Sequence, residues 1–258
     1  AFFLVTADRD SREARAAGRL YLFATHVSTL TLFGLFALLR ALTGSTDLVP
    51  LPAGVAGSGA GTALFALALA GFGLKAGLLP LHVWLPPAHA AAPAHVSALM
   101  SGVLIKTGIY GLVRVLSLVP DPPASWGDAL LLLGGASAVL GVAFALGQHD
   151  LKRLLAWHSV ENVGIIVLGL GVGLGGRAAG RPEWALLGFA GGLFHVVNHG
   201  LFKPLLFLGA GEAAHAFGTR DMDRMGGLAR LLPRTSLLFL AGAVAISGLP
   251  PLNGFASE

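Results

Sequence analysis

The chain has 258 residues, of which 55% are hydrophobic and 12% charged, with a formal net charge of +4. A soluble domain carries about 25% charged residues, so this composition, with a mean hydropathy of +0.76, excludes an ordinary soluble enzyme and points to an all-α polytopic membrane protein. In that setting a pI near 10.0 reflects arginine-rich loops rather than nucleic-acid binding, and the lack of cysteine removes disulfides and cysteine-ligated iron–sulfur clusters.

The opening AFFLVT reads as the end of an apolar helix, and GFASE stops inside another. The expectation is one transmembrane domain over residues 1–258, truncated within helices at both ends. After a charged linker, DRDSREARAAGR, apolar segments run over 20–42, 60–86, 93–118, 126–147, 154–176, 184–214 and 235–258, giving about seven spans beside the partial one. The sixth is longer than one crossing needs and predicts a tilt or an extension beyond the bilayer. The loops alternate in charge. Arg9, Arg12, Arg15, Arg19, Lys152, Arg153, Arg220, Arg224, Arg230 and Arg234 fall on one side, and Arg40, Arg114, Arg177 and Arg181 on the other. The richer set is the cytoplasmic one by the positive-inside rule. Trp84, Trp126, Trp157 and Trp184 fall near span ends, where interfacial anchors sit.

Two spans are interrupted. The second reads GLKAGLLPLHVWLPP, with Gly77 and Pro80 in the apolar run; the seventh reads ISGLPPLNGFASE, with Gly248, Pro250, Pro251 and Gly254. Proline removes a backbone donor and clashes with the preceding turn. Non-helical backbone at membrane depth survives when buried in protein or lining a cavity. Interrupted helices five spans apart point to an internal repeat with sites at the breaks; plain proline kinks are the alternative.

The basic residues are sorted by type. All thirteen arginines lie in loops or near span ends, whereas Lys75, Lys106 and Lys203 lie inside apolar spans. Arginine stays protonated at any working pH, while a lysine can lose its proton and hand it on. A charge at the bilayer centre costs at least about 2.5–3.5 kcal/mol, so three such lysines call for a hydrated or paired path. In FHVVNHGLFKPLLFLGAG, helical rotation places His195, Asn198, His199, Phe202 and Lys203 on one stripe. Histidine titrates near neutrality and passes protons either way. The stripe reads as a proton path, with interhelical hydrogen bonding as the alternative. In the third span, His95 and Lys106 are eleven residues apart, close to three turns, so they share a face about 16 Å apart with Ser97 and Ser101 between them. In the fifth, HSVEN sets Glu161 and Asn162 just after His158, and Glu161 is placed to pair with a buried lysine, with a purely structural salt bridge as the alternative. His26 stands alone and is left out of the path. His82 and His89 flank LPP and are expected near the membrane surface, as proton-uptake groups or plain interfacial residues.

No catalytic residue emerges: the sequence has no GxSxG, GxGxxG before a strand, HExxH or P-loop. His195 and His199 have metal-ligand spacing but lack a third ligand.

The segment GLKAGLLPLHVWLPPAHAAAPAHVSALMSGVLIKTGIYG resembles the core of the proton-conducting antiporter-like membrane subunits of complex I, Mrp-type antiporters and membrane hydrogenases. HSVENVGII, FHVVNHGLFKPLLFLGAGEAAHAFGTRDMDRMGGL and ISGLPPLNGFASE are most similar to the hydrogenase-4 (formate hydrogenlyase-type) branch of that family, with the likeness running from about residue 60 to the end. The resemblance implies two inverted five-helix repeats. It assigns the proton pathway to Lys75, Lys106, His195, His199, Lys203 and Glu258, and sets a glutamate partner for Lys75 ahead of Ala1; His95, His158 and Glu161 are secondary candidates from the residue pattern alone. It also implies a multi-pass protein of the inner (cytoplasmic) membrane with no cofactor or metal on this chain. Partners would be other membrane subunits and a peripheral hydrogenase or electron-transfer module. The function expected is proton translocation in a redox assembly. A standalone cation/proton antiporter and a structural anchor are the alternatives. Na+ is the alternative cargo: oxygen-rich ligand sets favour it, and lysine-rich lining favours protons.

Overall fold

The computed structural model describes residues 2–8 and 10–258, so Arg9 of the basic set lies outside the described residues. Among these the chain is helical, and the one β feature is an isolated antiparallel bridge between Asp150 and Asp221. A short α1 (Phe2–Val5) precedes α2 (Arg12–Thr43) and α3 (Gly59–Ala76). Next come α4 (Leu85–Ala91), α5 (Ala94–Leu99), a π-helical turn (Met100–Leu104) and α6 (Ile105–Ser117). Then α7 (Ala124–Leu146), α8 (Leu151–Ala178) and α9 (Pro182–Phe217) follow. The chain ends with α10 (Leu228–Leu231), α11 (Pro233–Ile246) and α12 (Asn253–Ser257). Six units are long and apolar enough to cross a membrane: α2, α3, the continuous α5–α6 unit, α7, α8 and α9; α11 is a shorter apolar helix. This matches the seven expected spans beside the partial α1. With 36 residues, α9 is about 54 Å long, well over the hydrocarbon thickness, as its sequence length predicts.

Helix ends follow from local chemistry. The Ser11 and Ser58 hydroxyls accept from the N–H groups of Ala14 and Gly61, and the Asp150 carboxylate accepts from those of Lys152 and Arg153. The ends of the two interrupted helices are alike. Gly77 after α3 and Gly248 after α11 take the left-handed conformation (φ 76° and 62°), which costs glycine nothing. Each is followed by a cis X–Pro bond, Leu79–Pro80 and Pro250–Pro251, and then a short helix, α4 or α12.

Packing of α7, α8 and α9 runs through glycines. A Cβ added to Gly134 would lie 2.8 Å from Gly164 O, and one on Gly169 would lie 2.9 Å from Gly188 O. Small residues let membrane helices approach backbone to backbone. Polar ties then fix the faces. Arg153 bonds Glu13 at 2.6 Å and Arg220 bonds Asp150 at 3.2 Å, joining the start of α2, the start of α8 and the segment after α9 on one face. Arg177 donates to Val119 O and Pro120 O at 2.7 and 2.8 Å on the opposite face. The two charge sets thus sort by face as the loop pattern predicts.

Of the four tryptophans, only Trp184 is exposed (60%) as an outward anchor. Trp84 is buried, and its indole N–H donates to Leu74 O at 2.8 Å. It satisfies a carbonyl freed at the end of α3, which is a break-capping role rather than an interfacial one. Trp126 stacks on Phe65, and the half-buried Trp157 packs against Phe144 and His82.

Candidate functional site

The α9 stripe faces inward. His195, Asn198, His199 and Lys203 are buried, while Leu193, Phe194, Val197 and Leu201 point out of the fold. The sequence dictates this division, since a helix with one polar edge must turn that edge from lipid.

Lys203 Nζ donates to Leu155 O on α8 at 2.5 Å, and the Ser159 hydroxyl donates to the same carbonyl at 3.2 Å. The Ser159 and Ser101 hydroxyls lie 2.9 Å apart, and Lys106 Nζ donates to Ser101 O. A continuous polar line therefore joins Lys106 to Lys203 across three helical units. Two backbone irregularities create the space for it. The π turn containing Ser101 and Gly102 packs against Pro204, which cannot donate to Gly200 O one turn earlier in α9. A side chain on Gly102 would run into the Pro204 ring.

The line continues toward the second break. His195 bonds Asn162 Oδ1 at 3.1 Å through Nε2 and Ser257 Oγ at 2.9 Å through Nδ1. Asn198 donates to Asn253 O at 2.9 Å, and Asn253 donates back to Asn198 Oδ1 at 3.0 Å. The His195 and His199 rings lie 6.2 Å apart, and His199 is within Coulombic reach of Lys106, Lys203, His195 and His89. The chain offers neither ring nitrogen of His199 a hydrogen-bond partner among the described residues.

Lys106, His195, His199 and Lys203 are thus brought together. The other predicted residues are placed differently. Lys75, at the end of α3, lines a separate cavity of about 190 Å³ with Tyr21, Thr25, Ser28 and Thr107. It has no hydrogen-bond or ion-pair partner among the described residues. Glu161 pairs with His158 rather than with a lysine, because the histidine one helical turn away on the same half-exposed face is nearer than any ammonium. It still lies within Coulombic reach of Lys203 and Glu258. Glu258 is exposed and sets its carboxylate against Gly248 in the second break.

His95 does not share a face with Lys106: it is exposed, and Lys106 is buried. The π turn between them takes about one residue more than an α turn, which rotates His95 away. His89 also departs from expectation. It is fully buried, stacked on Phe207 with ring centroids 4.8 Å apart, and is not an interfacial group. Sequence reasoning missed Ser159, Asn253 and Ser257, whose partners come from distant helices. It also missed Lys152, assigned to a loop but buried in the first turn of α8.

No group of three or more His, Cys, Asp or Glu residues is arranged to hold a metal among the described residues. The arrangement suits proton transfer. Both central lysines donate to carbonyls, which satisfy an ammonium without leaving a stranded counter-ion once the proton departs.

The sequence is 46% identical over 260 residues to hydrogenase-4 component B of Escherichia coli (strain K12), covering 100% of this chain and 38% of that protein. It is 43% identical to formate hydrogenlyase subunit 3 of the same organism, covering 93% of this chain and 40% of the relative. A chain in the structure of the Mrp complex from Dietzia sp. DQ12-45-1b superposes with a TM-score of 0.84 at 27% identity, over 96% of this chain and 44% of that one. The chain therefore spans about two fifths of the length of the curated relatives it matches. The likeness is not confined to residues beyond about 60, since the alignment to hydrogenase-4 component B takes in the first helices as well. With the family model for NADH:quinone oxidoreductase/Mrp antiporter, TM, matching residues 1–258, the chain belongs to that family of multi-pass membrane proteins.

Proposed function

We propose that the chain is the proton-translocating unit of a membrane subunit in a hydrogenase-4-type or complex I-like redox assembly of the inner membrane. Electron transfer takes place on a peripheral module, whose hydrogenase and iron–sulfur centres belong to other subunits, and this chain carries no cofactor and no catalysis of its own. Residues 1–258 act as one antiporter-like domain. The observation that carries the reading is the buried line Lys106–Ser101–Ser159–Leu155 O–Lys203, continued by His199 and His195 to the second break.

Each residue takes a role from its place. Lys75, in its separate cavity, switches with the acidic partner that the family resemblance sets ahead of Ala1. Lys106 and Lys203 exchange a proton across the Ser101–Ser159 hydroxyl pair. His199 and His195 carry it to Ser257, beside Glu258 at the exit. His158 and Glu161 set the local field from α8.

The test uses the full-length protein in its native assembly. Lys203→Arg keeps the positive charge and removes deprotonation near neutral pH. Acidification of inverted vesicles is expected to be lost while the complex still assembles; unchanged acidification would leave the stripe a packing device. The likeness to the Mrp complex favours a second reading, a cation/proton antiporter. It predicts exchange by the purified protein in vesicles without a redox partner.

A further inference from the structure

A cleft of about 390 Å³ opens where the first break and the start of α4 meet the turn between α7 and α8, with His82, Val83, Pro86, Gln148, Arg153 and Trp157 among its lining. The lining is divided by chemistry. Gln148, in that turn, and Arg153, in the first turn of α8, form a polar end on the arginine-rich face. Trp157 lies one helical turn further into the membrane and forms an apolar end with Val83 and Pro86. The Trp157 ring packs against His82 at 5.1 Å and Phe144 at 4.7 Å between ring centroids. Val83 and Phe144 are both exposed apolar side chains, so the cleft opens sideways toward lipid as well as upward to water.

Arg153 is not used up by its ion pair. Nη2 donates to Glu13 at 2.6 Å, and its side chain makes no other hydrogen bond among the described residues. A guanidinium carries five N–H donors in a planar fork, so the Nε and Nη1 edge stays open. Gln148 Nε2 donates to Phe144 O at 2.9 Å, which leaves one amide N–H free. The surrounding face carries most of the loop arginines, so Glu13 does not reverse its sign. A fork of free donors at the level of the headgroups, above an aromatic and apolar wall open to the bilayer, is complementary to a phosphate joined to a hydrocarbon tail.

We propose that this cleft binds one anionic phospholipid of the cytoplasmic leaflet, with its phosphate on Arg153 and Gln148 and an acyl chain running past Val83 and Trp157. Binding here does not depend on the proton relay. Arginine suits the site better than lysine, because its planar fork can hold Glu13 with one edge and a phosphate with another. The bound lipid would lie across α4 and α8, against His82 in the first break.

The test uses the full-length protein in its native assembly, purified in detergent and mixed with a phosphatidylglycerol that carries a photoreactive diazirine on one acyl chain. After illumination, labelled peptides are mapped by mass spectrometry. Label is expected in the peptides spanning 80–87 and 144–157, and unlabelled phosphatidylglycerol is expected to displace it at least about tenfold better than phosphatidylcholine. Arg153→Gln removes a charged donor, and Gln148→Glu sets a like charge against the phosphate; each is expected to lower labelling by about tenfold or more. Glu13→Gln breaks the ion pair but keeps Arg153, and is expected to label at least as well as the parent. Loss of label in Glu13→Gln equal to that in Arg153→Gln would make Arg153 a structural tie only and overturns the site. If Arg153→Gln fails to assemble, Gln148→Glu decides. An unlabelled parent overturns the site, the cleft then being covered by protein. Equal displacement by phosphatidylcholine overturns the anionic assignment, and displacement by inorganic phosphate as effective as by phosphatidylglycerol replaces the lipid with a soluble anion.

Discussion

Ser159 shares the Leu155 carbonyl with Lys203 and meets the Ser101 hydroxyl, so it links two lysines that never touch. Ser159→Ala is expected to cost about 1 kcal/mol in the unfolding of the detergent-purified protein. It should also slow proton transport several-fold, with Ser159→Thr restoring part of it. Asn162→Leu is expected to be harsher for stability, about 1–3 kcal/mol, because it strands His195 Nε2 in a buried site; a thermal melt reports it directly. The α9 stripe was legible in the sequence because one helix carries it whole. The Ser101–Ser159 pair and the burial of Lys152 were not, because each depends on a partner some sixty positions away on another helix. His89 failed for a related reason. It follows two prolines, which signal a surface turn in isolation, and only the packing of α4 against α8 and α2, with the ring stacked on Phe207, buries it.

The irregular helices do more than interrupt a pattern. Breaks at Gly77–Pro80 and Gly248–Pro251 were legible, since glycine and proline in an apolar run admit few alternatives. The π turn at Met100–Leu104 was not: MSGVL holds no residue that demands it, and a strict 3.6-residue period put His95 on the wrong face. The turn is stabilised from outside by its contact with the proline-distorted turn of α9 at Gly102 and Pro204. Gly102→Val therefore forces these two units apart and is expected to destabilise the fold by about 1–3 kcal/mol, measured as a lowered melting temperature. Transport should fall with it, because Ser101 and Lys203 lie on the separated elements.

At the scale of the molecule, span number and the sorting of charges by face followed from composition and loop arginines, and the ion pairs at one face and the Arg177 hydrogen bonds at the other agree with both. The chain has no cysteine, so topology can be tested cleanly. Arg181→Cys and Arg230→Cys are expected to react with a membrane-impermeant maleimide from opposite faces, Arg230→Cys from the cytoplasmic one; labelling from the same face would invert the assignment. The glycine contacts among α7, α8 and α9 were not legible as a seam, because the glycines are scattered along the sequence and align only when the helices dock.

That seam also bears on the onward route of a proton. Between His195 and the face bearing Arg177, α8 and α9 meet backbone to backbone at Gly169, Gly188 and Gly192, and the Phe189 ring lies on Gly173. Glycines packed this closely leave no room for a polar side chain, so the seam offers no relay group of its own. In the relay we propose, the way on from His195 therefore bends sideways, along its hydrogen bond to Ser257 and the second break, rather than through the seam.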